Sequence, residues 1–113
     1  MQDCLFCKII AGEIPAQKVY EDDQVLAFKD IAPVAPVHVL IIPKQHIATL
    51  EDLTAENAEL MGHILVTAAK LAKELGLAKG YRVVSNCKED GGQTVYHIHF
   101  HLIGGRQMQW PPG

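Results

Sequence analysis

Three histidines at alternate positions, in His97-Ile-His99-Phe-His101, are the residues of this chain best suited to chemistry. Near pH 7 a neutral imidazole can attack, relay a proton or donate a hydrogen bond, and phosphoryl transfer uses all three. Tyr96, Ile98, Phe100 and Leu102 fill the positions between. This period of two predicts a strand over residues 95–103, with an imidazole face and an apolar face. The apolar face belongs on a core, and the imidazole face should line something wet or reactive. Residues two apart on a strand lie about 7 Å apart, so the backbones of His97 and His101 stand roughly 13 Å from each other. All three histidines share one metal ion only if the strand bends. An unbent row works along an extended substrate instead. A single strand histidine is usually a surface or satisfied core residue, but three in alternation with bulky apolar residues exceed that reading.

Cys4-Leu-Phe-Cys7 is the second chemical signal. A lone C-x-x-C is a redox pair, half of a zinc site, or two incidental thiols. It is not set in a strand-then-helix unit, which weakens the redox reading. His38, His46, His97 and His101 are available to complete a Cys₂His₂ zinc site. Asp30, at a strand end, is either a turn residue or a carboxylate for sugar hydroxyls. The loop over residues 86–92 ends in Gly91-Gly92 and leads through Gln93-Thr94 into the histidine row. Such a loop can turn backbone N–H groups onto an anion, or it can be an ordinary hairpin turn. Trp110, in an apolar tail, packs either on its own domain or across a dimer interface.

The elements that must position these residues follow from patterning. Leu5, Phe6, Ile9 and Ile10 predict a short amphipathic helix ending near Gly12. Val19-Tyr20 and residues 25–28 read as two strands joined by the polar turn Glu21-Asp-Asp-Gln24. Residues 37–43 are almost wholly apolar and read as a central strand that contains His38, with Lys44-Gln-His46 just past its end. Thr54 is placed to N-cap a helix of about six turns. Leu60, Ile64, Ala68, Leu71 and Leu75 recur along it, Gly76 ends it, and His63 falls on its exposed flank. Residues 81–85 form a fourth strand, and Gly104-Gly105 ends the fifth.

The whole-chain quantities set limits. A length of 113 residues fits one domain with a core of its own. Hydrophobic content of 49% with 20% charged residues excludes a disordered chain. A formal charge of −3 gives no basic footprint for a nucleic-acid polymer. The first residues do not read as a signal peptide, no apolar run reaches a membrane span, and three cysteines make no secreted disulfide framework. The expected location is cytoplasmic.

His97-Ile-His-Phe-His-Leu-Ile resembles the defining motif of the histidine triad (HIT) superfamily, His-φ-His-φ-His-φ-φ with φ apolar. Phe6-Cys-Lys-Ile-Ile, Leu26-Ala-Phe-Lys-Asp-Ile31, Ile42-Pro-Lys-Gln-His46, Asp90-Gly-Gly-Gln-Thr-Val-Tyr-His97 and Gly104-Gly-Arg-Gln-Met-Gln-Trp-Pro-Pro-Gly113 extend the likeness in order along nearly the whole chain. They look like the Hint branch, the histidine triad nucleotide-binding proteins. The resemblance implies an α+β fold over residues 1–113, with a five-stranded antiparallel sheet, one short helix and one long helix. It implies a homodimer with a continuous ten-stranded sheet, in which the tail over residues 104–113 contributes to the dimer and the active site.

The activity implied is hydrolysis of purine nucleoside 5′-phosphoramidates, of the adenylate-amine or lysyl-adenylate type, releasing AMP through a nucleotidyl-histidine intermediate. The alternatives are a nucleotide-binding regulatory module with little turnover and a dinucleoside polyphosphate hydrolase. By the resemblance, His99 is the nucleophile and His101 binds a phosphate oxygen. Thr94, where relatives often have serine, supports proton delivery to the leaving nitrogen. Phe6, Ile9, Phe28 and Ile31 hold the purine, and Asp30 binds the ribose. Asn86, Gly92 and Gln93 face the phosphate end, and Trp110 approaches the partner's site. Cys4-x-x-Cys7 resembles a zinc-holding bacterial subset, which implies a structural zinc on Cys4, Cys7, His46 and His97, with His38 as the alternative fourth ligand. No cofactor is then required for the chemistry itself.

Overall fold

The computed structural model describes residues 3–113. The chain forms helix α1 (Leu5–Ile10) and strands β1 (Lys18–Glu21), β2 (Val25–Lys29) and β3 (Val37–Pro43). Helix α2 (Ala58–Glu74) and strands β4 (Tyr81–Val84) and β5 (Phe100–Gly104) follow. The five strands make one antiparallel sheet in the order β1-β2-β3-β5-β4, so the apolar β3 is central as its composition requires. Among the described residues, no helix is long and apolar enough to cross a membrane.

Strand alternation sends side chains to two separate cores. Val25 and Ala27 of β2, Val39 and Ile41 of β3, and Phe100 and Leu102 of β5 pack under α2 against Ile64, Ala68 and Leu71. Leu26, Phe28, Leu40 and Ile42 point to the other face and pack under α1 against Phe6 and Ile9. β2 and β3 are therefore buried on both faces. Leu40 pairs directly with His101 across β3 and β5, which puts His101 on the α1 face. The imidazole and apolar faces expected of the histidine segment are both present.

Three expectations need correction. The histidine strand is shorter than its alternation predicts, because it begins at Phe100 and residues 95–99 lie outside the sheet. Ile41 of β3 pairs with Phe100, and two residues later β3 reaches Pro43, which has no N–H to continue a ladder. The preceding segment bends, and the N–H of Ile98 donates to the carbonyl of Ile47 instead. The long helix is also shorter than about six turns. Thr54 caps a separate 3₁₀ turn over Ala55–Asn57, and α2 starts after it. His63 is not on an exposed flank. It is half-buried, and its Nε2–H donates to Asp22 Oδ2 at 2.7 Å, tying α2 to the turn between β1 and β2.

Candidate active site and metal centre

The bend before β5 separates the three histidines into different surroundings. His97 is fully buried, and its Nε2–H donates to the carbonyl of Pro43 at 2.7 Å. That bond fixes the tautomer and leaves Nδ1 with a free lone pair. Nδ1 lies 3.3 Å from Cys4 Sγ, 3.6 Å from Cys7 Sγ and 3.2 Å from His46 Nδ1. Cys7 Sγ lies 3.3 Å from His46 Nδ1. The four ligand atoms all fall within 4.8 Å of one another.

The set fits a tetrahedral zinc. Zinc–sulfur bonds near 2.3 Å and zinc–nitrogen bonds near 2.1 Å give S···N edges of about 3.6 Å and N···N edges of about 3.4 Å. The observed separations approach those edges. Burial and the adjacent Cys4 raise the thiol pKa of Cys7, and burial lowers the imidazole pKa of His97. Both shifts favour the neutral forms of Cys7 and His97, and a divalent ion would draw out the Cys7 thiolate. His46 is the histidine that joins this set, and His38 is not.

His38, the alternative zinc ligand of the sequence reading, instead begins a hydrogen-bonded chain. The N–H of Val34 donates to His38 Nδ1 at 3.2 Å, so His38 carries its proton on Nε2. That Nε2–H donates to His101 Nδ1 at 2.8 Å, and Asp30 Oδ2 lies 3.4 Å from the same nitrogen. His101 must then carry its own proton on Nε2. Among the described residues, this buried Nε2–H finds no hydrogen-bond partner. Burial first, then the neighbouring His99 and His38, push the His101 imidazole down to about 4. It is a neutral donor at pH 7. The signal available in the sequence was the two-residue spacing of His38 and Leu40, which share a face. The pairing of Leu40 with His101 is a matter of register that no local pattern specifies.

His99 is the third case. Its Nδ1–H donates to the carbonyl of His97 at 2.8 Å, leaving an Nε2 lone pair. The ring is buried, and Phe6 meets it edge-on at 5.1 Å between centroids. His99 and His101 line a cavity of about 950 Å³. Phe6, Ile9, Phe28 and Leu40 provide its apolar wall, and Asp30, Ile31, Thr94 and Val95 also line it. Ile31 is fully exposed and stands at the rim. Asp30 Oδ1 accepts from the N–H of Ala32 at 2.8 Å, which fixes the carboxylate at the cavity. A cavity of this size takes a nucleotide-sized ligand.

The remaining candidates lie elsewhere. The N–H of Gly92 donates to the carbonyl of Glu89 and so is spent inside its own loop. Gln93 is buried, with Nε2 donating to the carbonyls of Ala48 and Val95 and Oε1 accepting from the N–H of Lys88. Its role in the fold is to hold the loop that precedes the histidines. Asn86 is half-buried beyond β4 and does not line the cavity. Trp110 is 81% exposed, and the Arg82 guanidinium sits over its ring while also binding the carbonyl of Gln109. The tail is thus fastened along β4 with its indole facing outward. The cavity also has walls that patterning missed, Ile14-Pro-Ala-Gln17, because an irregular segment carries no periodic signal.

Comparison with known proteins agrees with this geometry. The HIT domain model matches residues 11–108. The crystal structure of a HIT family hydrolase from Legionella pneumophila superposes with a TM-score of 0.97 at 60% identity, covering 98% of this chain and 100% of that one. A histidine triad nucleotide-binding protein from Candida albicans superposes with a TM-score of 0.83 at 39% identity, covering 96% of this chain and 83% of that one. A 14 kDa zinc-binding protein of Brassica juncea is 53% identical, with 98% of this chain and 100% of that protein covered. The triad, the fold that bends it and these matches together make the chain a member of the HIT family.

Proposed function

We propose that the chain hydrolyses purine nucleoside 5′-phosphoramidates to AMP and an amine, as in the Hint branch. The observation that carries this reading is the tautomer pattern. His99 presents an Nε2 lone pair, and His101 presents an otherwise unpartnered Nε2–H, in one apolar cavity. A lone pair beside a fixed donor suits attack on phosphorus, because the donor meets the charge that develops on a phosphoryl oxygen.

In the first step the His99 Nε2–P bond forms and the P–N bond to the amine breaks. The amine leaves with the bonding pair and takes a proton from solvent through the Thr94 hydroxyl, which is exposed at the cavity wall. In the second step water attacks phosphorus, the N–P bond breaks back to His99, and the water's proton returns to solvent. His38 holds His101 in its donor tautomer. Phe6, Ile9 and Phe28 hold the base, and Asp30 receives the ribose hydroxyls. A zinc ion on Cys4, Cys7, His46 and His97 would supply structural cross-linking, pinning the segment that carries His99 to α1. The zinc-binding Brassica juncea protein supports this reading, as does the hydrolase name of the Legionella pneumophila protein.

We read the assembly as a homodimer. The open edge of β4, together with exposed Leu65 and Val66 of α2, provides surface that a second copy would cover. The test of the activity is AMP release from adenosine 5′-phosphoramidate by the native chain, by His99→Ala and by a chelated sample. Release lost in His99→Ala but retained after chelation is the expected result. Release unchanged in His99→Ala would sink the covalent mechanism. Tight AMP binding without release by the native chain would favour a nucleotide-binding module.

A further inference from the structure

A second cavity, of about 370 Å³, opens beside the first. Leu5, Thr94 and Val95 line both, so the two meet at the Thr94 end of the histidine row. Asp3, Cys4, His46 and Tyr96 line only the second cavity, so it also borders two members of the candidate zinc set. Asp3 is exposed, and Tyr96 is 48% exposed, so the carboxylate and the phenol ring are open to a ligand. Among the described residues, no lysine or arginine lines this cavity. A carboxylate attracts a cation by charge, and an aromatic face attracts it by its quadrupole. Both sit in one small hollow next to the reacting groups.

We infer that this second cavity is the leaving-group subsite and that it favours amines carrying a second positive charge, the class of the short diamines. The inference rests on the phosphoramidase reading. With the nucleoside in the first cavity, attack by His99 in line with the P–N bond puts the departing nitrogen on the far side of phosphorus. Thr94 and Val95 are where the first cavity continues into the second. The amine that departs there leaves with the P–N bonding pair and one solvent proton, and its second ammonium group takes no part in the step. Asp3 and Tyr96 act by binding that distal ammonium.

The experiment compares three adenosine 5′-phosphoramidates whose leaving amines have the same chain length. These are pentylamine, with a neutral end, 1,5-diaminopentane, with a cationic end, and 5-aminopentanoate, with an anionic end. The expected order of kcat/KM is cationic, then neutral, then anionic, with about two- to five-fold per step because the charges are solvent-exposed. Raising the salt to about 0.5 M should compress the series. Asp3→Asn should bring the cationic-to-neutral ratio close to one, and Tyr96→Leu should lower it in part. Equal kcat/KM for all three substrates would overturn the subsite while leaving the phosphoramidase reading intact. The expected order surviving in Asp3→Asn would also overturn it, by removing this cavity as the source. Release of AMP from none of the three would overturn the phosphoramidase reading, and the subsite with it.

Discussion

Acidification should separate His101 from its neighbours within a defined pH window. The His101 imidazole is pushed down to about 4 from 6.5, chiefly by burial, then by His99 and His38, with Asp30 opposing. The unfolded chain binds this proton near its ordinary value of about 6.5. Between the two values the unfolded state holds more protons, so stability falls as the pH is lowered. The contribution is fully present above about 6.5 and fully lost below about 4. The ceiling for such a shift is about 3 kcal/mol. His101 is only half-buried, and screening reduces the expected loss to about 1–2 kcal/mol. Protonation also places an N–H on His101 Nδ1 opposite the Nε2–H of His38, so the His38–His101 bond must break or His38 must give up the N–H of Val34. The assay is urea denaturation across the window, run on the native chain and on His101→Gln, with NMR titration of the imidazole carbons. The variant should lose less stability on acidification, by the stated amount, and His101 should titrate well below the exposed-histidine range. A His101 titration near 6.5, or equal pH slopes for the two chains, would refute the tautomer assignment.

Two further outcomes are expected. Cys7→Ser should lower bound zinc from one ion per chain, measured by atomic absorption on protein purified with added zinc, because it removes a ligand within 3.6 Å of both imidazole nitrogens of the set. Gln93→Ala should destabilise the chain by about 1–3 kcal/mol in denaturant, since the variant strands the Lys88 N–H and two carbonyl acceptors that the side chain now satisfies.

What the sequence made legible was the part written in periodic patterns. The alternation around His99 and Phe100 separates an imidazole face from an apolar one, and the apolar run of β3 places that strand at the centre of the sheet. The spacing of Leu60, Ile64, Ala68 and Leu71 gives the long helix. The proposed zinc ligands Cys4, Cys7, His46 and His97 were named from resemblance, and they do converge in space. The illegible part depends on long-range register. Residues 95–99 alternate as well as residues 100–103 do, yet only the latter have a partner strand able to donate hydrogen bonds, because β3 ends at Pro43. The donor role of His101 depends on His38, which is 63 positions away in sequence. The loop at Gly91-Gly92 looked ready for an anion, but its hydrogen bonds are closed internally by Glu89 and Gln93. A motif lists donors without showing which are already occupied.

Helix α1 has only six residues, well below the roughly 12–15 at which an isolated helix becomes stable in water. It persists because Phe6 and Ile9 are sunk in the sheet and because Cys4 and Cys7 face His97. The same Phe6 forms the wall against His99. The least self-sufficient element of the fold is therefore also the one that encloses the proposed nucleophile. In native-state hydrogen exchange, the amides of Lys8 and Ala11, bonded to the carbonyls of Cys4 and Cys7, should behave as a small unit that opens below the global unfolding energy. β3, central in the sheet, should stay closed when that unit lifts. Metal at one end of this helix and nucleotide under its middle would both slow the opening, so each ligand reduces the ordering cost left for the other. Zinc and nucleotide binding would then be coupled thermodynamically through less than two turns of helix.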